Sequence, residues 1–162
     1  MSAIISECGR YRYVLTRTIG DPKPGCKRCL FVMLNPSTAD ASEDDPTIRR
    51  CMGYAKAWGA AELTVVNLYA LRATDPAELW KVDDPVGPQN GFYMFAALSL
   101  HHQVVCAWGA NAEPDAVLHF ERRARLARVP LLCLGINKDG SPKHPLYLRK
   151  DLEPVPWTGA AA

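Results

Sequence analysis

The stretch that decides the fold is CLFVML at residues 29–34, six consecutive apolar residues. A strand buried on both faces of a sheet has this composition, whereas a strand with one solvent-exposed face alternates apolar and polar residues. Three further runs share the pattern: LTVVNL at 63–68, QVVCAW at 103–108 and PLLCLG at 130–135. Helical patterns separate the runs, over residues 47–58, 88–102 and 112–128. Buried strands that alternate with helices predict a parallel sheet covered by helices.

We therefore expect a single three-layer α/β domain over residues 1–158, followed by a short tail at 159–162. Its central, mostly parallel sheet would hold about four core strands flanked by helices. Residues 11–17 alternate in polarity and predict an additional N-terminal antiparallel strand. The length of 162 residues suits one domain with one core.

Composition excludes several classes of protein. A hydrophobic content of 48% with 22% charged residues does not fit a disordered, collagen-like or coiled-coil chain. No apolar run reaches the roughly 18 residues of a membrane span, and residues 1–20 lack the apolar core of a secretory signal. We therefore expect a cytoplasmic protein with no membrane partner.

The net charge of +2 hides an uneven distribution. Basic residues dominate 10–28 and 120–151, while acidic residues dominate 36–90. Such segregation is compatible with a polyanionic partner and also with a mixed, solvated surface.

The six cysteines favour a reducing compartment. Cys106 and Cys133 lie inside apolar runs and are predicted to be buried. Cys26 and Cys29 form a C-x-x-C pair, but a zinc site needs four ligands and no second pair stands nearby. We predict reduced thiols and no cofactor.

Polar residues follow the predicted strands, where parallel sheets bind their ligands. Asn35 follows the first core strand, Asn67 stands at the end of the second, Trp108 ends the third, and His144 lies in the loop after the fourth. Each has a structural alternative: a turn at Asn35, a strand-end cap at Asn67, core packing for Trp108 and a surface position for His144. If the sheet is parallel, these residues converge on one edge.

The order of the motifs LNPS (34–37), VVNL (65–68), AWGANA (107–112) and HPL (144–146) resembles the uracil-DNA glycosylase superfamily. Over nearly its full length the chain also resembles DUF1643, a bacterial family of unknown function. That second resemblance is carried by LNPSTADASEDDPTIRRC (34–51), NLYALRATDP (67–76), DPVGPQN (84–90) and SPKHPLYL (141–148).

The glycosylase resemblance implies a glycosylase-like fold and hydrolysis of the N-glycosidic bond of a base, modified or not, in DNA or RNA. Asn35 would orient the attacking water, Asn67 would bond to the base, and His144 would donate to the base oxygen as charge builds there. Leu146 or Tyr147 would fill the gap left by a flipped nucleotide. The other expected contacts are Pro36, Ser37, Tyr69, Trp108 and Arg72 for the substrate, and Lys143, Arg149 and Lys150 for phosphates. The aromatic that stacks on the base stays open among Tyr54, Tyr69 and Trp108.

Two departures keep other functions open. Asn35 is an amide, which cannot act as a strong general base. An acidic cluster of Asp40, Glu43, Asp44 and Asp45 lies beside it and would serve as a metal site, as a site for a cationic base or as a helix cap. The alternatives are a hydrolase of free nucleosides or nucleotides and a non-catalytic module that binds a base or nucleotide. Arg72 and Asp75 are alternatively expected to pair and hold their loop.

Overall fold

Seven strands form one sheet in the computed structural model, which describes residues 1–21, 25–37, 39–40 and 42–159. The strands are β1 (Ser2–Ile5), β2 (Arg12–Thr18), β3 (Lys27–Met33), β4 (Ala60–Asn67), β5 (Gln103–Cys106), β6 (Leu131–Cys133) and β7 (Val155–Pro156). The helices are α1 (Pro46–Ala57), α2 (Asn90–Leu100) and α3 (Pro114–Ala127), with two 3₁₀ helices at Pro76–Lys81 and Pro145–Tyr147. No helix within these ranges is both long and apolar enough to cross a membrane.

The strand order is β1-β2-β4-β3-β5-β6-β7. The four predicted apolar runs form the parallel core β4-β3-β5-β6, as expected. At the N-terminal edge the structure has two antiparallel strands, β1 and β2, where one was predicted, and β7 closes the other edge antiparallel to β6. The strands missed are short and half-buried or exposed, so they lack a strong apolar pattern, and β7 contains a proline that only an edge strand tolerates.

Alternation along β3 builds the core on both faces of the sheet. Leu30 and Val32 face a cluster that includes residues of α2 and α3, while Phe31 and Met33 face a cluster that includes residues of α1. The mixed α/β architecture with helices flanking the sheet is thus confirmed.

Helix α1 begins one residue before the predicted start. Pro46 occupies its first turn, and the Asp45 carboxylate accepts a hydrogen bond from the backbone N–H of Ile48 at 2.8 Å. This is a helix N-cap, which stabilises the first turn by satisfying an otherwise unpaired donor. Asp45 therefore has a structural role, as the N-cap of α1, whether or not it also takes part in chemistry.

One face of α1 also binds the C-terminal segment. Arg50, Tyr54 and Trp58 are spaced by four residues, so their side chains lie on one side of the helix. They donate hydrogen bonds to backbone carbonyls of Leu146, Arg149 and Leu152 respectively. This ladder fixes the chain that follows His144 against α1.

Candidate functional site

A cavity of about 340 Å³ lies at the carboxyl ends of β3, β4 and β5. It sits where the chain order reverses, because β3 has β4 on one side and β5 on the other. Open parallel sheets bind ligands at such switch points. Among its lining residues are six that the sequence singled out: Asn35, Ser37, Asp45, Asn67, Trp108 and His144.

Asn35 has a fixed side-chain orientation. Its Nδ2 donates to the backbone carbonyls of Ala73 at 2.8 Å and Pro36 at 3.0 Å. Since two carbonyls can only be bonded by an NH₂ group, the amide cannot be turned the other way. The Oδ1 atom is left as the acceptor with which Asn35 can hold a water or a ligand donor.

Asn67 brings a buried, unsatisfied acceptor to the cavity wall. The residue is 2% exposed, and its Oδ1 has no hydrogen-bond partner among the described residues. Its backbone carbonyl is anchored from α2, where Nδ2 of Asn90 donates to it at 3.0 Å. Because nearly all buried polar atoms in proteins are bonded, an orphan oxygen at a cavity points to a ligand that satisfies it.

His144 has a tautomer set by its own loop. Its Nδ1 accepts the backbone N–H of Leu146 at 3.4 Å, so in the neutral ring the proton lies on Nε2. Desolvation of the ring lowers the pKa of His144, although the Asp45 carboxylate acts in the opposite direction. His144 is exposed to solvent and presents a neutral Nε2–H donor near neutral pH.

A glycine lets the His144 loop approach the end of β5. Gly109 has a φ of +78°, and a Cβ placed on it would lie 3.6 Å from Cβ of His144. Its backbone N–H donates to the carbonyl of Pro142 at 2.9 Å. Any other residue here would be strained by the positive φ, while its Cβ would make an ordinary van der Waals contact with the histidine.

Sequence reasoning missed Arg12, which also lines the cavity. It is 2% exposed, donates to the carbonyl of Ala39 at 2.6 Å, and leaves its Nε without a partner among the described residues. Desolvation lowers its pKa to about 10, so the guanidinium remains charged at neutral pH. The carboxylate of Asp45 lines the same cavity and favours the charged form of Arg12.

Each carboxylate named as a weak metal candidate has a structural partner. Asp44 forms an ion pair with the fully buried Arg17 at 2.6 Å, and Asp45 caps α1. Asp40 accepts hydrogen bonds from the backbone N–H groups of Ser42 and Glu43, which lower its pKa. Within the described ranges no group of His, Cys, Asp and Glu side chains is arranged to hold a metal ion.

Three expected substrate contacts lie outside the cavity. Tyr69 is 3% exposed, packs edge-on against Trp80, and its hydroxyl accepts the backbone N–H of Glu113. Pro36 is buried, and its carbonyl anchors Asn35. Arg72 donates to the carbonyl of Gly9 at 3.3 Å rather than pairing with Asp75, whose carboxylate caps the 3₁₀ helix at Pro76–Lys81.

Trp108 is the one described aromatic residue that lines the cavity. Its ring also packs edge-to-face against Phe120 and Trp157, with centroids 5.2 and 5.0 Å away. Tyr54, the remaining stacking candidate, is buried in α1 and donates to the carbonyl of Arg149. Trp108 is 2% exposed, so most of its surface is committed to the core.

The two residues expected to fill the gap left by a flipped nucleotide, both in the segment after His144, differ in exposure. Leu146 is half-buried beside α1, whereas Tyr147 is 91% exposed. Of the residues expected at phosphates, Arg149 pairs with Asp151 on the surface, Lys150 is exposed and Lys143 is half-buried near Gly135.

All six cysteines are free. Cys106 and Cys133 are fully buried, as their apolar surroundings predicted. Cys29 lies inside β3, where burial raises its pKa to about 12, so that it is a poor thiolate ligand.

Comparison with sequence families matches residues 12–146 to DUF1643, which is described as a protein of unknown function. The match runs from the start of β2 into the 3₁₀ helix after His144 and includes every cavity residue discussed above. Comparison with curated proteins and with solved structures finds no match. The chain belongs to the DUF1643 family.

Proposed function

We propose that the cavity binds a nucleobase and that the protein hydrolyses the N-glycosidic bond of that base, modified or not, in DNA or RNA. The observation that carries the proposal is that Asn35, Asn67 and His144 line one cavity at the carboxyl edge of the sheet. The proposal includes a glycosylase-like fold, in keeping with the motif order, and a cytoplasmic location, in keeping with six free cysteines.

Recognition of the base rests on one acceptor and one donor. A base N–H would satisfy the buried Oδ1 of Asn67, and a base carbonyl would accept from Nε2 of His144. An N–H beside a C=O is the edge that uracil-type pyrimidines and 6-oxopurines present. Trp108 is the apolar residue at the cavity wall beside which the base ring would lie.

Hydrolysis requires a held water and a stabilised leaving group. Oδ1 of Asn35 accepts a hydrogen bond from the water and directs the water oxygen toward the sugar carbon. The carbon–nitrogen bond breaks and its electron pair leaves with the base, while the water oxygen bonds to the carbon. The water then loses a proton, and the released base gains one.

Two charged side chains at the cavity can stabilise the opposite charges that develop on the base and on the sugar in that transition state. The buried guanidinium of Arg12 favours the negative charge that develops on the base, and the Asp45 carboxylate favours the positive charge that develops on the sugar. Because Arg12 is 2% exposed, solvent screens its charge less than it would screen a charge on the surface.

A second function, binding of a base without cleavage, is favoured by one observation. The side chain expected to hold the water is an amide, and its NH₂ is committed to two backbone carbonyls. Asn35 therefore has no means of taking a proton from water, and the cavity would recognise a base and leave it intact.

The test is release of free base from a panel of substrates, detected by mass spectrometry. The panel contains uracil, hypoxanthine and 5-hydroxymethyluracil, each as a free nucleoside and within single- and double-stranded oligonucleotides. We expect at least one substrate to lose its base, and the released base identifies the specificity. Binding of a base with no release from any substrate would favour the second function.

A further inference from the structure

A basic cleft lies beside the cavity, between α1 and residues 146–150. Its volume is about 680 Å³, and its walls carry three cations, Arg49, Arg50 and Lys150. No carboxylate is among the described residues that line it. Three cations without a counter-charge create a site for a polyanion.

The cleft has fixed walls. Nε of Arg50 donates to the carbonyl of Leu146 at 3.2 Å, and the hydroxyl of Tyr54 donates to the carbonyl of Arg149. These bonds hold the C-terminal segment at a set distance from α1. On the helix side Gly53 and Ala57 supply small residues, which leave the space open.

The cleft and the cavity are neighbours along two stretches of chain. Asp45 and Thr47 line the cavity, and Pro46 between them lines the cleft. His144 lines the cavity, and Leu146, two residues later, lines the cleft. The cavity and the cleft therefore share the start of α1 and the His144 loop as parts of their walls.

We propose that this cleft binds the backbone phosphates of a single-stranded nucleic acid whose base occupies the cavity, and the inference rests on the proposed function. A free nucleotide has phosphate at one end of one sugar, whereas the cleft is about twice the volume of the cavity and carries three cations. The exposed ring of Tyr147 adds a surface on which a neighbouring base can stack. The substrate class is thus a polynucleotide strand.

Substitution of Gly53 tests binding in the cleft without disturbing the fold. It is a helical residue, and a Cβ added to it meets nothing within 4 Å. Gly53→Glu and Gly53→Gln introduce side chains of the same size, and only the first adds a negative charge. We expect Gly53→Glu to bind a labelled single-stranded oligothymidine of about 15 nucleotides at least tenfold more weakly than Gly53→Gln. Fluorescence anisotropy measures the affinities, and thermal melting checks that both variants fold.

Two further measurements accompany the comparison of Gly53→Glu with Gly53→Gln. For the unaltered protein, three phosphate contacts predict a slope of about −2 in log affinity against log salt concentration. Lys150→Glu should weaken binding, whereas Lys27→Glu, which makes the same charge change at the amino end of β3, should leave it unchanged.

Equal affinities of Gly53→Glu and Gly53→Gln would overturn the inference, as would failure of the unaltered protein to bind the oligonucleotide. If either result were found and the protein still released base from free nucleosides, the proposed function would hold and only the role of the cleft would be wrong. If binding in the cleft depended on charge but no substrate released its base, the cleft would still bind nucleic acid and the proposed hydrolysis would be wrong.

Discussion

At the scale of single residues, the orientation of the Asn35 amide decides what the cavity can do. Its NH₂ bonds two carbonyls, so the side chain offers the cavity an acceptor that can hold water but take no proton from it. Catalysis at such a site depends on positioning and on the fixed charges of Arg12 and Asp45.

Asn35→Asp should therefore destabilise the protein rather than improve the enzyme. A carboxylate oxygen would face the carbonyls of Pro36 and Ala73 with no proton to share. We expect a loss of about 1–3 kcal/mol in the free energy of unfolding, measured by urea denaturation. Unchanged stability would mean that these two hydrogen bonds are not formed.

The sequence could predict Asn35, Asn67 and His144 because each follows a core strand or lies in the loop after one. It could not predict Arg12, because β2 buries consecutive residues at its start and alternation alone does not show which face of the strand meets the cavity. Arg17 is similar, since its burial depends on a carboxylate 27 positions away, in Asp44. Partners so distant in sequence leave no local pattern.

At the scale of elements, the start of α1 combines a cap with a charge, and substitutions can separate the two. Asp45→Asn should keep the cap and leave stability nearly unchanged, while Asp45→Ala should cost about 1 kcal/mol. Under the proposed function both variants lose the carboxylate that favours the cationic sugar, and we expect base release to fall at least tenfold in both. Melting curves and release rates on the same preparations check this, and full activity in Asp45→Asn would show that the carboxylate only caps the helix.

The ion pair of Arg17 and Asp44 joins β2 to the loop that precedes α1. Arg17 is fully buried, so removing its counter-charge leaves a cation without compensation. We expect Asp44→Ala to lower the free energy of unfolding by about 3 kcal/mol. Since Asp44 is partly exposed, Asp44→Asn provides the control, as it removes the charge while keeping an acceptor. Equal stability of Asp44→Ala and the unaltered protein would show that backbone carbonyls alone neutralise Arg17.

The elements of the core could be predicted because their signals are strong. The four apolar runs and three amphipathic or apolar helices recur within a few residues of the expected bounds. The edge strands β1 and β7 could not, because strands of four and two residues form by pairing with neighbours rather than by a pattern of their own. The 3₁₀ helix at Pro76–Lys81 also lacks a helical period.

At the scale of the whole molecule, two histidines link stability to pH. His101 is buried between the carbonyl of Ala97, 2.7 Å from its Nδ1, and the hydroxyl of Thr64, 3.0 Å from its Nε2. Desolvation lowers the pKa of both His101 and His144 from 6.5. A lowered pKa means that the folded state favours the neutral ring, so the contribution is complete above pH 6.5 and is lost as the pH falls toward the folded-state pKa.

We therefore expect the free energy of unfolding to decrease on acidification below about pH 6.5, by up to roughly 1.4 kcal/mol per pH unit for the buried His101. Urea denaturation at a series of pH values measures the decrease. His101→Gln should flatten part of the profile. A stability that rises on acidification in this window would contradict the burial of the His101 ring.

The proposed reaction requires three side chains to act on one ligand in the cavity, and single-turnover base release at increasing substrate concentration tests this most directly. We expect Asn35→Ala to lower the maximal rate at least tenfold with little change in half-saturation, because Asn35 holds the water. Asn67→Ala should raise the half-saturation concentration, because Asn67 holds the base, and His144→Ala should lower the rate. Base release with the same maximal rate and the same half-saturation concentration in all three variants and the unaltered protein would contradict a reaction in this cavity. The reaction would then occur elsewhere.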